Sequence, residues 1–239
     1  MRFIIINSNY SIKIDLIDQI HLNLGKKMDA VNFEKKYVND VYSEIANHFN
    51  KTRYHTWPKI RDFVNSLDTN SIIYDVGCGN GRNMNIRDDC TFIGCDNNHN
   101  LLHEAKKNNH ECYYGDNLNI PFLDNVADAV LSIAVIHHFS NTDRRISALG
   151  ELFRILKTNG LALIYVWAHE QPKFQSYPKH AMVNWNDQNS GKIYQRFYYL
   201  FTCQELDELI SNNFHNIKII ESGIQKDNYY VVCKKINFA

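Results

Sequence analysis

No stretch of this sequence stays apolar for anything near the ~20 residues that a membrane-spanning helix needs. Nor is there an excess of charge of either sign: 26 Lys and Arg face 26 Asp and Glu. The balance removes any global basic field that would draw the chain onto nucleic acid or anionic lipid. Contact with a nucleic acid therefore needs a local patch or a basic partner. The six cysteines (Cys78, Cys90, Cys95, Cys112, Cys203 and Cys233) contain no C-x-x-C pair. That leaves out a zinc knuckle and a thioredoxin-type motif, and the scatter fits free thiols in a reducing cytosol. No G-x-x-x-x-G-K-[ST] stretch exists, so a P-loop is excluded, and no H-E-x-x-H zinc signature appears. The N-terminal apolar run, Phe3 to Ile6, is shorter than a ~7–15-residue signal core and lacks a small-residue cleavage site after it. Asp15 and Asp18 argue against a mitochondrial transit peptide. There is no internal repeat.

What remains is ample for a packed core. The 239 residues are 44% hydrophobic and 13% aromatic, which fits one α/β domain and not a disordered, collagen-like or coiled-coil chain. Residues 1–27 read as an accessory N-terminal extension and residues 28–239 as the domain. From Asn32 to Ser66 the pattern is helical, with Tyr37, Val41, Ile45 and Phe49 on one stripe. The stripe breaks at Thr52 to Pro58, and Pro58 suits the first turn of a second helix. Strands and helices then alternate. Ser71–Val76, Thr91–Asp96, Glu111–Tyr114, Ala127–Ala134 and Leu161–Val166 read as strands, and Leu101–Asn108 and Arg144–Leu156 as helices. Such alternation implies parallel βαβ units and a sheet covered on both faces. A short helix follows at Gln204–Ser211. Ile217–Ser222 and Tyr229–Lys234 are separated too briefly for a helical crossover, so they should pair antiparallel. The aperiodic Gln171–Gln195 reads as a long functional loop.

The central motif is Asp75-Val76-Gly77-Cys78-Gly79-Asn80-Gly81, placed where a strand turns into a helix. Glycines there let the backbone approach a ligand and take positive φ. Asp96 ends the next strand roughly 20 residues on, where an acidic side chain can accept hydrogen bonds from a ribose diol. Asp116 and Asn117 follow the third strand, where a carboxylate or amide can read an adenine edge. The glycine spacing is not that of a dinucleotide fingerprint, and the Asp75 carboxylate would repel a pyrophosphate. It would suit a cationic ligand, such as the ammonium and sulfonium of S-adenosylmethionine.

These residues resemble the first motif of class I S-adenosylmethionine-dependent methyltransferases. Asp96, Asp116 and the strand end Ser132-Ile133-Ala134 fall where that superfamily's later cofactor motifs fall. The resemblance implies an α/β, Rossmann-like fold: a seven-stranded, mostly parallel sheet with an antiparallel last strand and helices on both faces. It assigns S-adenosyl-L-methionine to Asp75, Gly77, Gly79, Asp96, Asp116, Asn117 and Ala134. Four further stretches narrow the family: Tyr37–Pro58, Ser132–Phe139 with Arg144-Arg145, Ala162–Gln171, and Lys226–Val232. Together they resemble the tRNA wobble-uridine carboxymethyl methyltransferases, including the fungal enzymes and the methyltransferase domain fused to an AlkB-type oxygenase in animals. The resemblance runs from about Tyr37 to Lys235. It departs from the fungal pattern in a shortened Pro172–Ile193 segment and in residues 1–27, which have no counterpart there. It implies methyl transfer to the carboxylate of 5-carboxymethyluridine in a tRNA anticodon loop, cytoplasmic or also nuclear location, and a small zinc-binding activator subunit pairing with the third strand at the sheet edge. Alternatives are a small-molecule carboxylate or quinone methyltransferase on the same fold, and a cofactor-binding scaffold without activity.

A carboxylic acid is already ionised near pH 7, so this acceptor needs alignment rather than a strong base. Arg53 is the candidate for that alignment, through a bidentate guanidinium, with a surface ion pair as the bland alternative. His138 is favoured for substrate contact and His137 for the pocket wall. Trp167 and Glu170, after the fifth strand, are candidates for contact with the flipped nucleobase, with core packing the alternative for Trp167. No metal is expected. Arg53→Ala should cut methyl transfer by orders of magnitude, with cofactor affinity near wild type in calorimetry; Arg53→Lys should recover only part of the rate.

Overall fold

In a computed structural model, residues 28–52, 55–187 and 191–237 are described. The expected extension, residues 1–27, and Arg53 lie outside them. The described strands are β1 (Ile72–Val76), β2 (Thr91–Asp96), β3 (Cys112–Tyr114), β4 (Ala127–Ile133), β5 (Leu156–Trp167), β6 (His180–Asn186), β7 (Ile193–Tyr199), β8 (Ile217–Gln225) and β9 (Asn228–Lys235). Seven of them form one sheet in the order β3-β2-β1-β4-β5-β9-β8. The first five run parallel to their neighbours, and β9 is inserted antiparallel between β5 and β8. The late antiparallel pair is closed by Lys226 and Asp227, both at positive φ, as a two-residue hairpin of matching twist requires.

The helices are α1 (Ala30–Glu34), α2 (Asp40–Thr52), α3 (Pro58–Asn65), α4 (His99–Lys107), α5 (Thr142–Ile155) and α6 (Glu205–Asn213), with a π-helical turn, Lys35–Asn39, joining α1 to α2. Alternation along the strands sends side chains to two cores. On β5, Ala162, Ile164 and Val166 face the core that α5 covers with Ala148, Leu149 and Leu152. Leu163 and Tyr165 face the other, covered by Ile60, Phe63 and Val64 of α3 and by Leu102 and Ala105 of α4.

Two features differ from the sequence expectation. The Gln171–Gln195 segment is not an irregular loop: β6 and β7 pair antiparallel from His180↔Tyr199 to Asn186↔Ile193. Polar residues at alternate positions (Asn184, Asn186, Gln195) hide the strand pattern that Ala181, Trp185 and Phe197 complete. Strand β5 also begins at Leu156 and absorbs Thr158-Asn159-Gly160, with a register irregularity opposite Ala127–Ala129 and Asn159 at φ 68°.

The α1–α2 segment lies over the carboxyl ends of the strands and is fastened there by polar contacts. Glu34, buried, accepts from Arg144 Nε and Nη2 at 2.9 and 2.7 Å and from the Ser140 amide and hydroxyl at 2.7 and 2.8 Å. Asn98 donates to the Asn39 carbonyl and Ser43 hydroxyl, and Asn80 to Asn50. Removing one partner of such a pair leaves a desolvated charge behind, so Glu34→Ala should lower stability by about 2–3 kcal/mol, read from the shift of the urea midpoint. The loss should be smaller for Glu34→Gln.

Candidate active site

Beneath this segment lies a cavity of about 710 Å³ at the carboxyl edge of the sheet. That is where open α/β sheets place ligands. One wall is the glycine loop after β1. Gly77 and Gly79 adopt φ +81° and +56°, and a Cβ at Gly77 would stand 2.3 Å from Val135. The amides of Gly77 and Cys78 both donate to the Cys95 carbonyl, which folds the loop back over β2. Asp96 ties the same loop down: its two oxygens accept from the Gly79 and Asn98 amides, each at 2.9 Å. Burial pushes the Asp96 carboxyl up to about 6, against the pull of those backbone amides. Its side chain reaches the cavity, as do Asp116, Asn117 and Ala134. Ala134, directly after β4, sits at φ 64°, a strained conformation for a residue with a Cβ.

Asp75 is fully buried behind the loop, and among the described residues neither of its oxygens has a hydrogen-bond partner. Burial raises its carboxyl to about 7, with Arg82 opposing and Asp96 adding to the rise. An orphaned acid, a second acid on the wall and a glycine cradle that admits a ligand to backbone distance fit a cationic nucleoside. The donor set fits S-adenosylmethionine: Asp96 would hold the ribose, Asp116 and Asn117 the base, and Asp75 would balance positive charge.

The opposite wall is a cluster of histidines, aromatics and one arginine, and its bonding fixes the tautomers. His138 Nδ1 lies 2.8 Å from the Phe197 carbonyl, which can only accept, so Nδ1 carries the hydrogen. His138 Nε2 then accepts from the Tyr42 hydroxyl at 3.1 Å. The Tyr42 oxygen in turn accepts from Arg196 Nη1 and from the Tyr198 hydroxyl, each at 3.2 Å. His137 is the reverse. The Trp167 amide points at its Nδ1 from 3.1 Å, so the ring hydrogen sits on Nε2, which has no partner among the described residues. Both rings are neutral. Burial pushes His138 down to about 3, with the Phe197 carbonyl opposing and Arg196 adding. Burial also holds His137 well below its ordinary value, with His138 and Arg196 adding and the Ala134 carbonyl opposing.

The structure brings most of the sequence-predicted residues together. His138 lines the cavity, but both ring nitrogens are engaged within the protein; the hydrogen without a partner belongs to His137. Trp167 also lines the cavity. Its ring stacks on Tyr198 at 4.0 Å and on Phe174 at 5.5 Å, so packing occupies the surface that a nucleobase would stack on. Glu170 is not on the cavity wall. After β5 the chain turns outward, Ala168 and His169 bonding to Asp227 and Phe201, and exposed Glu170 accepts from the Cys203 amide. Arg53 lies outside the described residues. His99 and His103 stand one helical turn apart on α4, a spacing suited to a metal, but His99 stacks on Tyr114 and no metal-binding group of three or more His, Cys, Asp or Glu forms among the described residues. Sequence reasoning missed Tyr42 and Arg196. The one available signal for Arg196 was a lone cation immediately before the aromatic run Phe197-Tyr198-Tyr199.

The buried acids generate a pH dependence. Folded Asp75 titrates near 7, above the ~4 of an unfolded chain, so keeping it ionised costs stability increasingly as pH rises through that window. A cationic ligand offsets the cost only when the carboxylate is charged. S-adenosylmethionine should therefore bind about tenfold more tightly at pH 7 than at pH 5.5 and release protons on binding. Calorimetry in buffers of different ionisation enthalpy measures both effects, and Asp75→Asn should flatten them.

Comparison with known proteins agrees with this geometry. Residues 74–164 match the family described as a methyltransferase domain. A Schizosaccharomyces pombe protein named tRNA (carboxymethyluridine(34)-5-O)-methyltransferase is 36% identical over 228 residues, covering 86% of this chain and 99% of that protein. The Xenopus tropicalis protein of the same name, alkbh8, is 48% identical over 145 residues, 61% of this chain. The match spans only 23% of the frog protein and 22% of its mouse counterpart. Among solved structures, an S-adenosylmethionine-dependent methyltransferase from Methanosarcina mazei superposes with TM-score 0.64 at 16% identity, covering 76% of this chain and 98% of that one. The methyltransferase chain of a Haloferax volcanii complex with the Trm112 methyltransferase activator superposes with TM-score 0.63 at 15% identity, covering 86% and 98%. These two show the fold, the Rossmann-like class I methyltransferase fold. With the near full-length match to the fission-yeast protein, a sheet of this order and a cavity walled by Asp96 and the glycine loop, with Asp75 buried behind that loop, the chain belongs to the tRNA (carboxymethyluridine(34)-5-O)-methyltransferase family.

Proposed function

We propose that this chain transfers a methyl group from S-adenosylmethionine to the carboxylate of 5-carboxymethyluridine at the tRNA wobble position, giving 5-methoxycarbonylmethyluridine. The observation that carries the reading, beside the family match, is the bonding of the second wall. A phenol, amine or other protonated acceptor needs a base to take its proton. Here the His137 Nδ1 lone pair is turned to the Trp167 amide and the His138 Nε2 lone pair to Tyr42, so neither imidazole has a lone pair to offer. A carboxylate arrives already ionised and needs none. The bound cofactor supplies an electrophilic methyl on a sulfonium. The chain's task is to hold an oxygen in line with it and to keep water out, and the α1–α2 segment fastened by Glu34 and Arg144 closes the cavity for that purpose. Arg53 belongs to this proposal as a carboxylate clamp that the family resemblance suggests. A quinone or phenol methyltransferase on the same fold would want a free base at this wall.

The proposal includes a partner. Strand β3 is three residues long, sits at the sheet edge, and leaves Tyr113 and Tyr114 about half exposed. An unpaired edge with exposed aromatics suits strand addition by a second chain. A small zinc-binding activator would cover it and add the basic surface that a net charge of +0 does not provide; the Haloferax structure, a complex with the Trm112 methyltransferase activator, supports a partner of the activator kind.

Nucleoside mass spectrometry after incubation with tRNA and S-adenosylmethionine, with and without a co-expressed activator, tests both parts. The expected product is the methyl ester on carboxymethyluridine-containing tRNA alone, with the activator raising the yield. Methylation elsewhere on the tRNA, or only of small carboxylic acids or quinones, would contradict the substrate.

A further inference from the structure

Among the described residues, Arg196 is a charge without a counter-ion. It lies mid-strand on β7, on the same side as Tyr198, and both reach the cavity, whereas Phe197 between them packs into the main core. The residue is only 4% exposed. Its guanidinium sits 4.7 Å from the ring of Trp185, 5.2 Å from that of Tyr198 and 5.5 Å from that of Tyr42. Among the described residues, Nη1 donates to the Tyr42 hydroxyl, Nε has no partner, and no carboxylate forms an ion pair with it. Arg144, on the same cavity, is neutralised by Glu34. Leaving a buried cation unpaired is costly, and an aromatic box offsets the cost only in part. A site that keeps such a group on a ligand cavity is suited to an anionic ligand.

A second donor without a partner lies in the same cluster. His137 Nε2–H is buried, has no hydrogen-bond partner among the described residues, and belongs to a ring that packs 5.0 Å from Tyr198. Arg196 and His137 Nε2 can only donate. The Tyr42 hydroxyl, held between His138 and Arg196, fixes the direction of the guanidinium.

Resting on the carboxylate acceptor proposed above, we propose that Arg196 and His137 Nε2–H together receive the substrate carboxylate, and that this donor-only wall selects the acid over its carboxamide. An amide would turn its own N–H groups toward these donors, whereas a carboxylate presents acceptors on both sides. Tyr42 and His138 act as positioning residues. The sequence assigns carboxylate alignment to Arg53; this assignment adds a second, independent guanidinium.

The test uses the full chain, with its activator where co-expression requires one, saturated with S-adenosylhomocysteine. Two anticodon stem-loops are titrated, one carrying 5-carboxymethyluridine and one 5-carbamoylmethyluridine, against wild type, Arg196→Gln and Arg196→Lys. Wild type should prefer the acid by about tenfold or more, and Arg196→Gln should bring the two within about twofold while S-adenosylhomocysteine affinity stays unchanged. Arg196→Lys keeps the charge but loses the fork, so kcat should fall by at least about tenfold. If Arg196→Gln retains both the preference and wild-type turnover, the assignment is overturned and Arg53 holds the carboxylate without it. If Arg196→Gln has lost S-adenosylhomocysteine affinity through misfolding, Arg196→Lys decides: a tenfold loss of kcat with intact cofactor affinity supports the assignment, and wild-type kcat overturns it. A wild-type protein that methylates no acid stem-loop overturns the proposed function and this assignment together.

Discussion

Two groups of opposite charge are kept out of water at one cavity, Asp75 behind one wall and Arg196 on the other, and neither has a counter-ion within hydrogen-bonding distance among the described residues. Asp75 lies behind the glycine loop with both oxygens unbonded, and Arg196 sits in an aromatic box with Nε unbonded. Desolvating either group opposes folding, and for Arg196 the aromatic box and the Tyr42 hydroxyl recover only part of that loss. The arrangement makes physical sense when a cation approaches the first and an anion the second. Methyl transfer from a sulfonium to a carboxylate brings such a pair together. The reactants attract one another without help, so the protein has to supply orientation and a dry space.

The rest of the fold serves those two requirements. The parallel strands end at one edge, and the turn after β1 passes under the cavity because Gly77 and Gly79 hold torsions that residues with a Cβ adopt poorly. Asp96 couples that turn to β2 through the Gly79 amide, so the acid on the cavity wall also fixes the loop. The α1–α2 segment is pinned at both ends, by Glu34 to Arg144 and Ser140 and by Asn50 to Asn80, which keeps the roof over the site. The β6–β7 hairpin, inserted between β5 and α6, delivers Arg196 and Tyr198 to the wall that the parallel sheet alone could not furnish.

How far the sequence disclosed this depends on the range of the interactions. The glycine motif, Asp96 and the late antiparallel pair were legible because they depend on local torsions, strand ends and loop length. The second wall was not. Which of two adjacent histidines keeps a free hydrogen is decided by the Phe197 carbonyl, 59 positions from His138, and the Trp167 amide, 30 positions from His137. Glu170 looked eligible because it follows a strand that ends at the site, yet the bridge between Ala168 and Phe201 turns the chain away before reaching it. Arg196 was hidden because it directly follows the Gln171–Gln195 segment that reads as a loop, where polar residues on β6 mask a hairpin whose inward face is aromatic. The edge strand β3 was recognisable from its place in the order, and its two exposed tyrosines sharpen the case for a covering chain.

A crystal structure of the protein with S-adenosylhomocysteine and an anticodon stem-loop bearing 5-carboxymethyluridine tests the account most directly. The account predicts the cofactor ribose on Asp96 and the uridine carboxylate within hydrogen-bonding distance of the Arg196 guanidinium and His137 Nε2. A carboxylate directed away from Arg196 while the cofactor occupies the Asp96 wall would contradict it.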